Sequence, residues 1–312
     1  MLETLHLDLI NPPLQLIENF AATNISVHIK REDLIHPFVS GNKFRKLKYN
    51  LHEAKRLNTK TILTFGGAFS NHIAAVAAAG KLMSFKTIGV IRGEELGTDL
   101  EKTVEGNSTL RFAKEQGMEF HFISREKYRE KDSLEFIETL KSAFGDFYLI
   151  PEGGTNELAV KGCEEIISQE ESEFDIICCP VGTGGSISGI INASQKHQRV
   201  WGFPALKGDF LNSEIIKYTD RTNWELISDY HFGGYAKVNI ELINFINEFK
   251  RKYQIPLDPI YTGKMIFGIF DLLEKSAIPE NSRILAVHTG GLQGIEGMNK
   301  QLSRKKLPII DV

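Results

Sequence analysis

The chain contains 312 residues, of which 42% are hydrophobic and 25% charged, and its 37 basic and 40 acidic residues leave a net charge of −3. This profile is typical of a globular protein of one large domain or two ordinary ones, and it lacks the basic excess that a nucleic-acid partner requires. The N-terminal segment has no signal-peptide pattern and no run of about 18 apolar residues occurs, so we expect a cytoplasmic protein with no membrane partner. The three cysteines, Cys163, Cys178 and Cys179, form neither a disulfide framework nor a zinc pattern, so we expect buried thiols and no metal.

In chain order, short apolar runs alternate with helical patterns. The first predicted helix follows Ser40-Gly41, because Phe44, Leu47 and Leu51 recur with helical spacing. Further helices are predicted around residues 74–80 and across 100–116, and strands at 61–65, 85–91, 118–123, 147–150, 175–181 and 283–288. This alternation predicts an α/β fold with parallel sheets flanked by helices.

Paired glycines follow four of these predicted strands, namely Gly66-Gly67, Gly153-Gly154, Gly184-Gly185 and Gly290-Gly291. In open α/β sheets ligands bind beyond the carboxyl ends of the strands, and glycine there lets the backbone approach a ligand closely. Any single pair is also explained as ordinary turn punctuation. Four pairs at corresponding positions favour one ligand cleft that is lined by backbone.

The segment after the predicted strand 175–181 has the pattern of a phosphate-binding loop. It comprises Gly182, Thr183, Gly184, Gly185 and Ser186, and a helix is predicted to follow. Exposed N–H groups at a helix start, together with the helix dipole, suit an anion and above all a phosphate. The Walker pattern and the dinucleotide fingerprint both fail, because Ile190 and Ile187 stand where these patterns need Lys and Gly. The loop therefore predicts a compact site for a single phosphate.

A second polar segment, Ser70-Asn71-His72, precedes the helix predicted around residues 74–80. Ser and Asn are common helix N-caps, so a purely structural role is one interpretation. The alternative is that Ser70, Asn71 and the free N–H groups of this helix start bind a carboxylate or phenolate oxygen. His72 fits a satisfied surface or core histidine, with substrate binding as the alternative.

Three cations, Lys43, Arg45 and Lys46, lie in the first turn of the first predicted helix, where the helix dipole favours acidic residues. The simplest interpretation is a solvated basic face, or pairing with acids such as Glu32 and Asp33. Lys43 has an alternative role, because a helix N-terminus and neighbouring cations lower the pKa of an amine. A neutral amine can form a Schiff base with an aldehyde. A reactive lysine together with a site for one phosphate indicates pyridoxal 5′-phosphate as cofactor.

Together these segments resemble the D-cysteine desulfhydrase and 1-aminocyclopropane-1-carboxylate deaminase family. The matching segments, in the family's order, are 40–47, 70–72, 182–186, 258–264 and 288–291, so the resemblance extends from about Arg31 to Gly291. It implies a pyridoxal-phosphate enzyme with the two-domain tryptophan synthase β-like fold, known as fold type II. It also implies a large domain of residues 1–47 plus 148–312, an inserted small domain of residues 48–147, a cofactor cleft between them and a homodimer.

The resemblance implies which residues bind the cofactor. Lys43 is implied as the lysine that carries pyridoxal phosphate as an imine, and Asn71 as a hydrogen-bond partner of its phenolic oxygen. Residues 182–186 would hold the phosphate, and Thr289 would face the pyridine nitrogen.

The resemblance also implies which residues meet the substrate, a small amino acid. Ser70, with Asn71 and His72 beside it, would bind near the substrate carboxylate. Tyr261 would act on the substrate as an acid, a base or an orienting group. Lys43, Tyr261 and Ser70 are thereby implied as the catalytic residues.

Two positions indicate which reaction occurs. Deaminases of the family typically have Tyr-Glu-Gly-Lys and His-Leu-Gly-Gly, whereas this chain has Tyr261-Thr262 and His288-Thr289, the choices typical of desulfhydrases. The deaminases also typically have a second active-site tyrosine shortly before the latter motif, and residues 285–287 contain none. The resemblance therefore implies α,β-elimination, most simply of D-cysteine to pyruvate, ammonia and hydrogen sulfide. The alternatives are a 1-aminocyclopropane-1-carboxylate deaminase, a lyase for another D-amino acid, and a non-catalytic protein that binds pyridoxal phosphate.

Overall fold

The computed structural model describes residues 11 to 311. The N-terminal segment on which the prediction of no signal peptide rests therefore lies outside the described residues. The strands are β1 Leu14–Phe20, β2 Ile25–Lys30, β3 Thr61–Gly67, β4 Lys86–Arg92, β5 Glu119–Ile123, β6 Tyr148–Ile150, β7 Ile176–Val181, β8 Arg199–Pro204, β9 Trp224–Leu226 and β10 Arg283–Val287. The α-helices are α1 Asn42–Arg56, α2 Asn71–Leu82, α3 Leu100–Gly106, α4 Ser108–Glu115, α5 Leu134–Phe144, α6 Glu157–Glu164, α7 Gly185–Ala193, α8 Phe210–Ile215, α9 Ile240–Tyr253, α10 Thr262–Glu274 and α11 Gly294–Arg304.

Six strands form the larger sheet, in the order β1-β2-β10-β7-β8-β9. Its neighbouring strands are parallel, except that β1 pairs antiparallel with β2. The central strand β7 is buried along its whole length, because helices cover both faces of the sheet. Ile176 and Cys178 belong to the core shared with α9 and α10, whereas Ile177 and Cys179 belong to the core shared with α7. All three cysteines are buried free thiols, as predicted.

Four parallel strands form the smaller sheet, in the order β5-β4-β3-β6. The alanine-rich helix α2 lies close to this sheet, because residues 74–79 present only short side chains. Gly80 has no room for a methyl group beside Thr87 of β4, which shows how closely the helix approaches the strand. This packing fixes the start of α2 relative to the carboxyl end of β3.

The start of α1 is fixed by contacts with distant parts of the chain. Gly41 precedes the helix with φ of +62°, and a Cβ at this position would collide with the carbonyl oxygen of Thr289. Phe44, Leu47 and Leu51 are buried on one face of the helix, as their spacing predicts. The first turn of α1 is therefore pressed against the loop that follows β10.

The α/β fold with parallel sheets is confirmed, and each strand predicted from the sequence is present. The prediction of one helix across residues 100–116 is wrong, because Asn107 is extended and its side chain accepts from the Leu110 N–H at 3.0 Å, starting a new helix. The boundaries of the two predicted domains stay a prediction. Within residues 11 to 311, no helix combines the length and the apolar sequence that crossing a bilayer requires.

Candidate active site

A cleft lies where carboxyl ends of strands from both sheets meet. The loops after β3, β6, β7 and β10 and the first turn of α1 all line it. Of the residues predicted for the site, the structure brings together Lys43, Ser70, Asn71, His72, Gly182, Thr183, Gly184, Ser186, Tyr261 and Thr289. Gly185 lies behind this lining, where a Cβ would come within 2.8 Å of the Thr155 side chain. Three of the four paired-glycine segments contribute to the cleft, and Gly66-Gly67 does not.

Lys43 places an unusual amine in the wall of the cleft. Its Nζ atom donates to Asn42 Oδ1 at 3.0 Å. Burial and, second, the nearby Lys46 cation lower the pKa of Lys43 from 10.5 to about 7. A substantial fraction of this amine is therefore neutral near pH 7, whereas an exposed lysine would be almost wholly protonated. The helix start and its cations were the predicted causes of a lowered pKa, but burial is the first cause and the Lys46 cation the second.

The two neighbouring cations have separate roles. Arg45 forms the predicted pair with Glu32, in a buried bidentate contact of 2.9 and 3.0 Å. For Lys46 the prediction of a solvated or acid-paired side chain is wrong. Lys46 is buried, and its Nζ atom donates to Gly153 O at 3.0 Å, Thr155 Oγ1 at 2.9 Å and Thr183 Oγ1 at 3.3 Å. The sequence signal was its i+3 spacing from Lys43, which places both amines on one helix face.

The glycine-rich loop joins β7 to α7. Gly184 has φ of +84°, and the free N–H groups of the first turn of α7 follow it. The Ser186 hydroxyl accepts from Asn42 Nδ2 at 2.8 Å, which ties this loop to the turn that carries Lys43. A Cβ on Gly182 would lie 3.1 Å from the Tyr261 ring, so glycine keeps this wall of the cleft open. A helix start, hydroxyl groups and the Lys46 cation together suit a phosphate.

On the opposite side, Ser70, Asn71 and His72 begin α2. Ser70 is the N-cap and accepts from the Ile73 N–H at 3.4 Å, so the capping role holds while the residue also lines the cleft. His72 Nε2 lies 2.8 Å from the Thr64 hydroxyl, which itself donates to Ile150 O. Burial, followed by the Lys43 and Lys46 cations, holds the pKa of His72 well below its usual value. His72 is therefore a neutral imidazole that donates from Nε2.

Tyr261 is held at the start of α10 by the buried carboxylate of Asp258. Asp258 accepts from the N–H groups of Ile260 at 2.9 Å, Tyr261 at 2.8 Å and Thr262 at 2.8 Å. The Thr262 hydroxyl also donates to this carboxylate at 2.8 Å and is buried away from the cleft. Thr262 therefore supports the turn that positions Tyr261.

Tyr235 also lines the cleft and was missed by the sequence analysis. Its ring centroid lies 6.2 Å from that of Tyr261, at an interplanar angle of 66°. Because residues 285–287 contain no tyrosine, the sequence had suggested that Tyr261 lacks a second tyrosine beside it in the active site. The structure shows that the loop before α9 brings a second tyrosine, Tyr235, into the cleft. Burial raises the pKa of both phenols, so both are protonated at neutral pH and can donate protons. The alternation of glycine and aromatic residues in 230–235 was the available signal.

Thr289 reaches the cleft from the loop after β10, and this loop is held on both sides. Its carbonyl oxygen accepts from the Asn42 N–H at 3.3 Å. His288 accepts from the Gly290 N–H at 3.2 Å through Nδ1, which leaves Nε2 to donate to Pro256 O at 2.8 Å. The position of the Thr289 side chain is therefore fixed through its neighbours in the chain.

Comparisons with known proteins agree with this geometry. The profile of the family described as "Pyridoxal-phosphate dependent enzyme" matches residues 6–290. The chain therefore belongs to the pyridoxal-phosphate-dependent enzymes, and its cofactor is pyridoxal phosphate.

Within that class the chain is similar to 1-aminocyclopropane-1-carboxylate deaminases and D-cysteine desulfhydrases, so the predicted resemblance is confirmed. A putative 1-aminocyclopropane-1-carboxylate deaminase of Pyrococcus horikoshii is 31% identical over 308 residues, 90% of each chain. A bifunctional D-cysteine desulfhydrase/1-aminocyclopropane-1-carboxylate deaminase of Arabidopsis thaliana is 30% identical, covering 86% of this chain and 72% of that protein. A crystal structure of an ACC deaminase homologue superposes with a TM-score of 0.80 at 29% identity, covering 95% of this chain and 94% of the other. These likenesses confirm the fold type II architecture.

Proposed function

We propose that this enzyme catalyses α,β-elimination on D-cysteine, which with one water gives pyruvate, ammonia and hydrogen sulfide. The observation that carries the proposal is the chemistry of one cleft. Lys43, residues of the glycine-rich loop 182–186 and Thr289 line it together, and within residues 11 to 311 no Asp or Glu residue does. If Thr289 faces the pyridine nitrogen, its hydroxyl would hold no proton there as a carboxylate would. The bound cofactor would then withdraw less charge from the substrate, which would favour expulsion of hydrosulfide.

The cofactor fits this set of donors. We assign Lys43 to its aldehyde, Asn71 to its phenolic oxygen and Thr289 to its ring nitrogen. The loop 182–186, together with Lys46, would hold the phosphate, because the ammonium group already lies 3.3 Å from Thr183 Oγ1. When bound, pyridoxal phosphate supplies an electron sink for the negative charge that forms on the substrate α-carbon.

The side chains of the protein would supply orientation and proton transfer. The Ser70 hydroxyl and the free N–H groups at the start of α2 would bind the substrate carboxylate, because a helix start favours an anion. The Lys43 amine would accept the α-proton, because burial lowers its pKa and leaves a neutral fraction of the amine at neutral pH. Tyr261 is protonated at neutral pH, so it can orient the substrate or donate a proton to the leaving group.

A second candidate function is 1-aminocyclopropane-1-carboxylate deamination to 2-oxobutanoate and ammonia. Tyr235 favours it, because the structure supplies the second tyrosine whose apparent absence had argued against a deaminase. The names of the relatives from Pyrococcus and Arabidopsis also include this activity.

A substrate panel tests the proposal. The purified protein, saturated with pyridoxal phosphate, would be assayed with D-cysteine, L-cysteine, D-serine and 1-aminocyclopropane-1-carboxylate, scoring sulfide, keto acid and ammonia. We expect D-cysteine to be the fastest substrate and to release sulfide and pyruvate in equal amounts. Faster formation of 2-oxobutanoate would favour the deaminase, and faster turnover of D-serine another D-amino acid lyase. A protein that binds the cofactor and converts none of the four would contradict the assignment.

The resemblance also supports two proposals about organisation, a homodimer and a small domain of residues 48–147, which contains β3, β4, β5 and their helices. We also propose a cytoplasmic location, which the three buried free thiols favour. Sedimentation of the purified enzyme at twice the 35.1 kDa chain mass would support the dimer, and a monomer at micromolar concentration would contradict it.

A further inference from the structure

Lys264 is the last residue of the segment 258–264, and the proposed function leaves it without a role. It lies in the first turn of α10 with 2% of its surface exposed. Within the described part of the chain it makes no ion pair, and burial lowers its pKa to about 8. Burying an amine without a carboxylate partner costs free energy unless its protons are hydrogen-bonded. What these hydrogen bonds hold in place is therefore informative.

Both hydrogen bonds of Lys264 go to one loop. Its Nζ atom donates to the carbonyl oxygens of His231 at 2.8 Å and Gly234 at 2.9 Å. The Gly234 N–H also donates to His231 O at 3.0 Å, which closes a turn over residues 231–234. The Lys264 amine therefore binds both ends of this turn and stabilises it. The loop 231–236 is thereby anchored to the helix that begins directly after Tyr261.

This loop has a backbone that needs such support. Phe232 and Ala236 adopt φ of +54° and +55°, and the two glycines between them adopt +91° and +115°. This region is unfavourable for a non-glycine residue, so the surrounding contacts must maintain the conformation. Phe232 supplies one contact, packing edge-on against Phe267 at 5.0 Å, and Lys264 supplies the polar ones.

The loop carries Tyr235 into the cleft. The Tyr235 ring lies against Tyr261, whose own backbone N–H is held by Asp258. One segment of seven residues, 258–264, therefore fixes both tyrosines, the first by Asp258 at its beginning and the second by Lys264 at its end.

We propose that Lys264 is a positioning residue that sets the Tyr235 hydroxyl beside Tyr261, acting through the loop 231–236. This inference rests on the proposed function, because it places Tyr235 in the same reaction. Lys264 itself touches neither substrate nor cofactor, since it does not line the cleft.

Hydrogen exchange of the loop tests the structural half of the inference without any turnover. Lys264→Met keeps the volume of the side chain and removes its donors. We expect the amides of 231–237 to exchange at least about tenfold faster in this variant, because opening of the loop becomes easier. Lys30→Met is the matched control, since Lys30 at the end of β2 is also buried but pairs with Glu171 and makes no hydrogen bond to the loop 231–236. Unchanged exchange at 231–237 in Lys264→Met, or equal acceleration in the control, would overturn the inference.

A double-mutant cycle tests the functional half. We expect Tyr235→Phe to lower kcat by about 100-fold, as the loss of a proton-transfer group does. Lys264→Met should lower kcat by about 10- to 100-fold through misplacement of the same hydroxyl, while the visible absorption band of the bound cofactor stays unchanged. If Lys264 acts through Tyr235, the double variant should be no more than about threefold slower than Tyr235→Phe alone. Fully additive losses would refute the positioning role.

A second variant covers the case in which Lys264→Met does not fold. Gly234→Ala strains the loop while the Lys264 amine stays in place, because alanine disfavours φ of +115° and no atom crowds the new methyl group closer than 3.8 Å. We expect it to fold and to show the same loss of kcat and the same faster exchange. Wild-type kcat in Gly234→Ala would count against the inference. Failure of the proposed function would look different: the wild type would convert no substrate, while the exchange results would still decide the role of Lys264.

Discussion

The two sides of the cleft are built differently. The side formed by α1 and the six-stranded sheet brings two amines, a glycine-rich loop, two tyrosines and a threonine from five separate segments. The side formed by the four-stranded sheet brings Ser70, Asn71 and His72 from one helix start and Gly153 from the loop after β6. The first side holds Lys43 and Lys46, which we assign to cofactor attachment and phosphate binding, whereas the second side holds Ser70, which we assign to the substrate carboxylate. Changes of Lys43 and Lys46 should therefore act on the cofactor, and changes of Ser70 on the substrate.

The largest expected effect is that of Lys43→Ala. Without this amine the cofactor has no covalent attachment, so we expect turnover and the visible absorption band of the bound cofactor to disappear together. Lys48→Ala is the matched control, because Lys48 lies on the same helix but pairs with Glu165 outside the cleft. Absorption spectroscopy and the sulfide assay measure both variants. A band that survives in Lys43→Ala would break the assignment of the first side.

The next effect is that of Lys46→Met, which removes a cation beside the phosphate loop. Loss of a charge-assisted hydrogen bond should weaken cofactor binding by about 10- to 100-fold, with little change in kcat once the cofactor is saturating. Titration of the apoenzyme with pyridoxal phosphate measures this. Equal affinity in the variant and the wild type would contradict a role in phosphate binding.

The pH dependence of cofactor attachment tests the lowered pKa of Lys43 on the same side of the cleft. Because the pKa of Lys43 is lowered to about 7, its neutral fraction rises as pH increases through 7 and is about one tenth at pH 6. We expect the attachment rate at pH 6 to be about tenfold below its plateau at high pH. The midpoint should move to higher pH in Lys46→Met, since the Lys46 cation is the second cause of the lowered pKa. A midpoint above pH 9 in the wild type would contradict the burial of this amine.

The smallest expected effect is that of Ser70→Ala on the opposite side. We expect the bound cofactor to keep its absorption band while KM rises by up to about tenfold, the cost of one hydrogen bond to a charged carboxylate. Loss of the N-cap should also lower the free energy of unfolding by about 1 kcal/mol. Ser70→Asp would restore the cap without restoring carboxylate binding, so it separates the two effects. Loss of the absorption band with an unchanged KM would show that Ser70 acts on the cofactor, and it would contradict the assignment of Ser70 to the substrate.

Most of the fold could be predicted from local sequence patterns, because strands and glycine turns are recognised from residues that are adjacent in the chain. The alternation of strands and helices predicted the parallel sheets, and the paired glycines after the strands predicted the glycine-lined cleft. The break at Asn107 was missed because a side-chain cap competed with continued helical periodicity. Lys46 and Tyr235 were missed for another reason. Their partners, the loop 153–155 and Tyr261, are distant in sequence, so their roles appear only in the folded chain.

Gly41 has a consequence for how the enzyme is made. It lies beneath the Thr289 carbonyl group, so the turn that carries Lys43 is completed by a loop from near the other end of the chain. During translation the lysine is synthesised long before its supporting loop. A nascent chain that ends before this loop has the reactive amine without the surroundings that hold it. We therefore expect stable attachment of the cofactor only after the loop at Thr289 has been synthesised and has packed against Gly41.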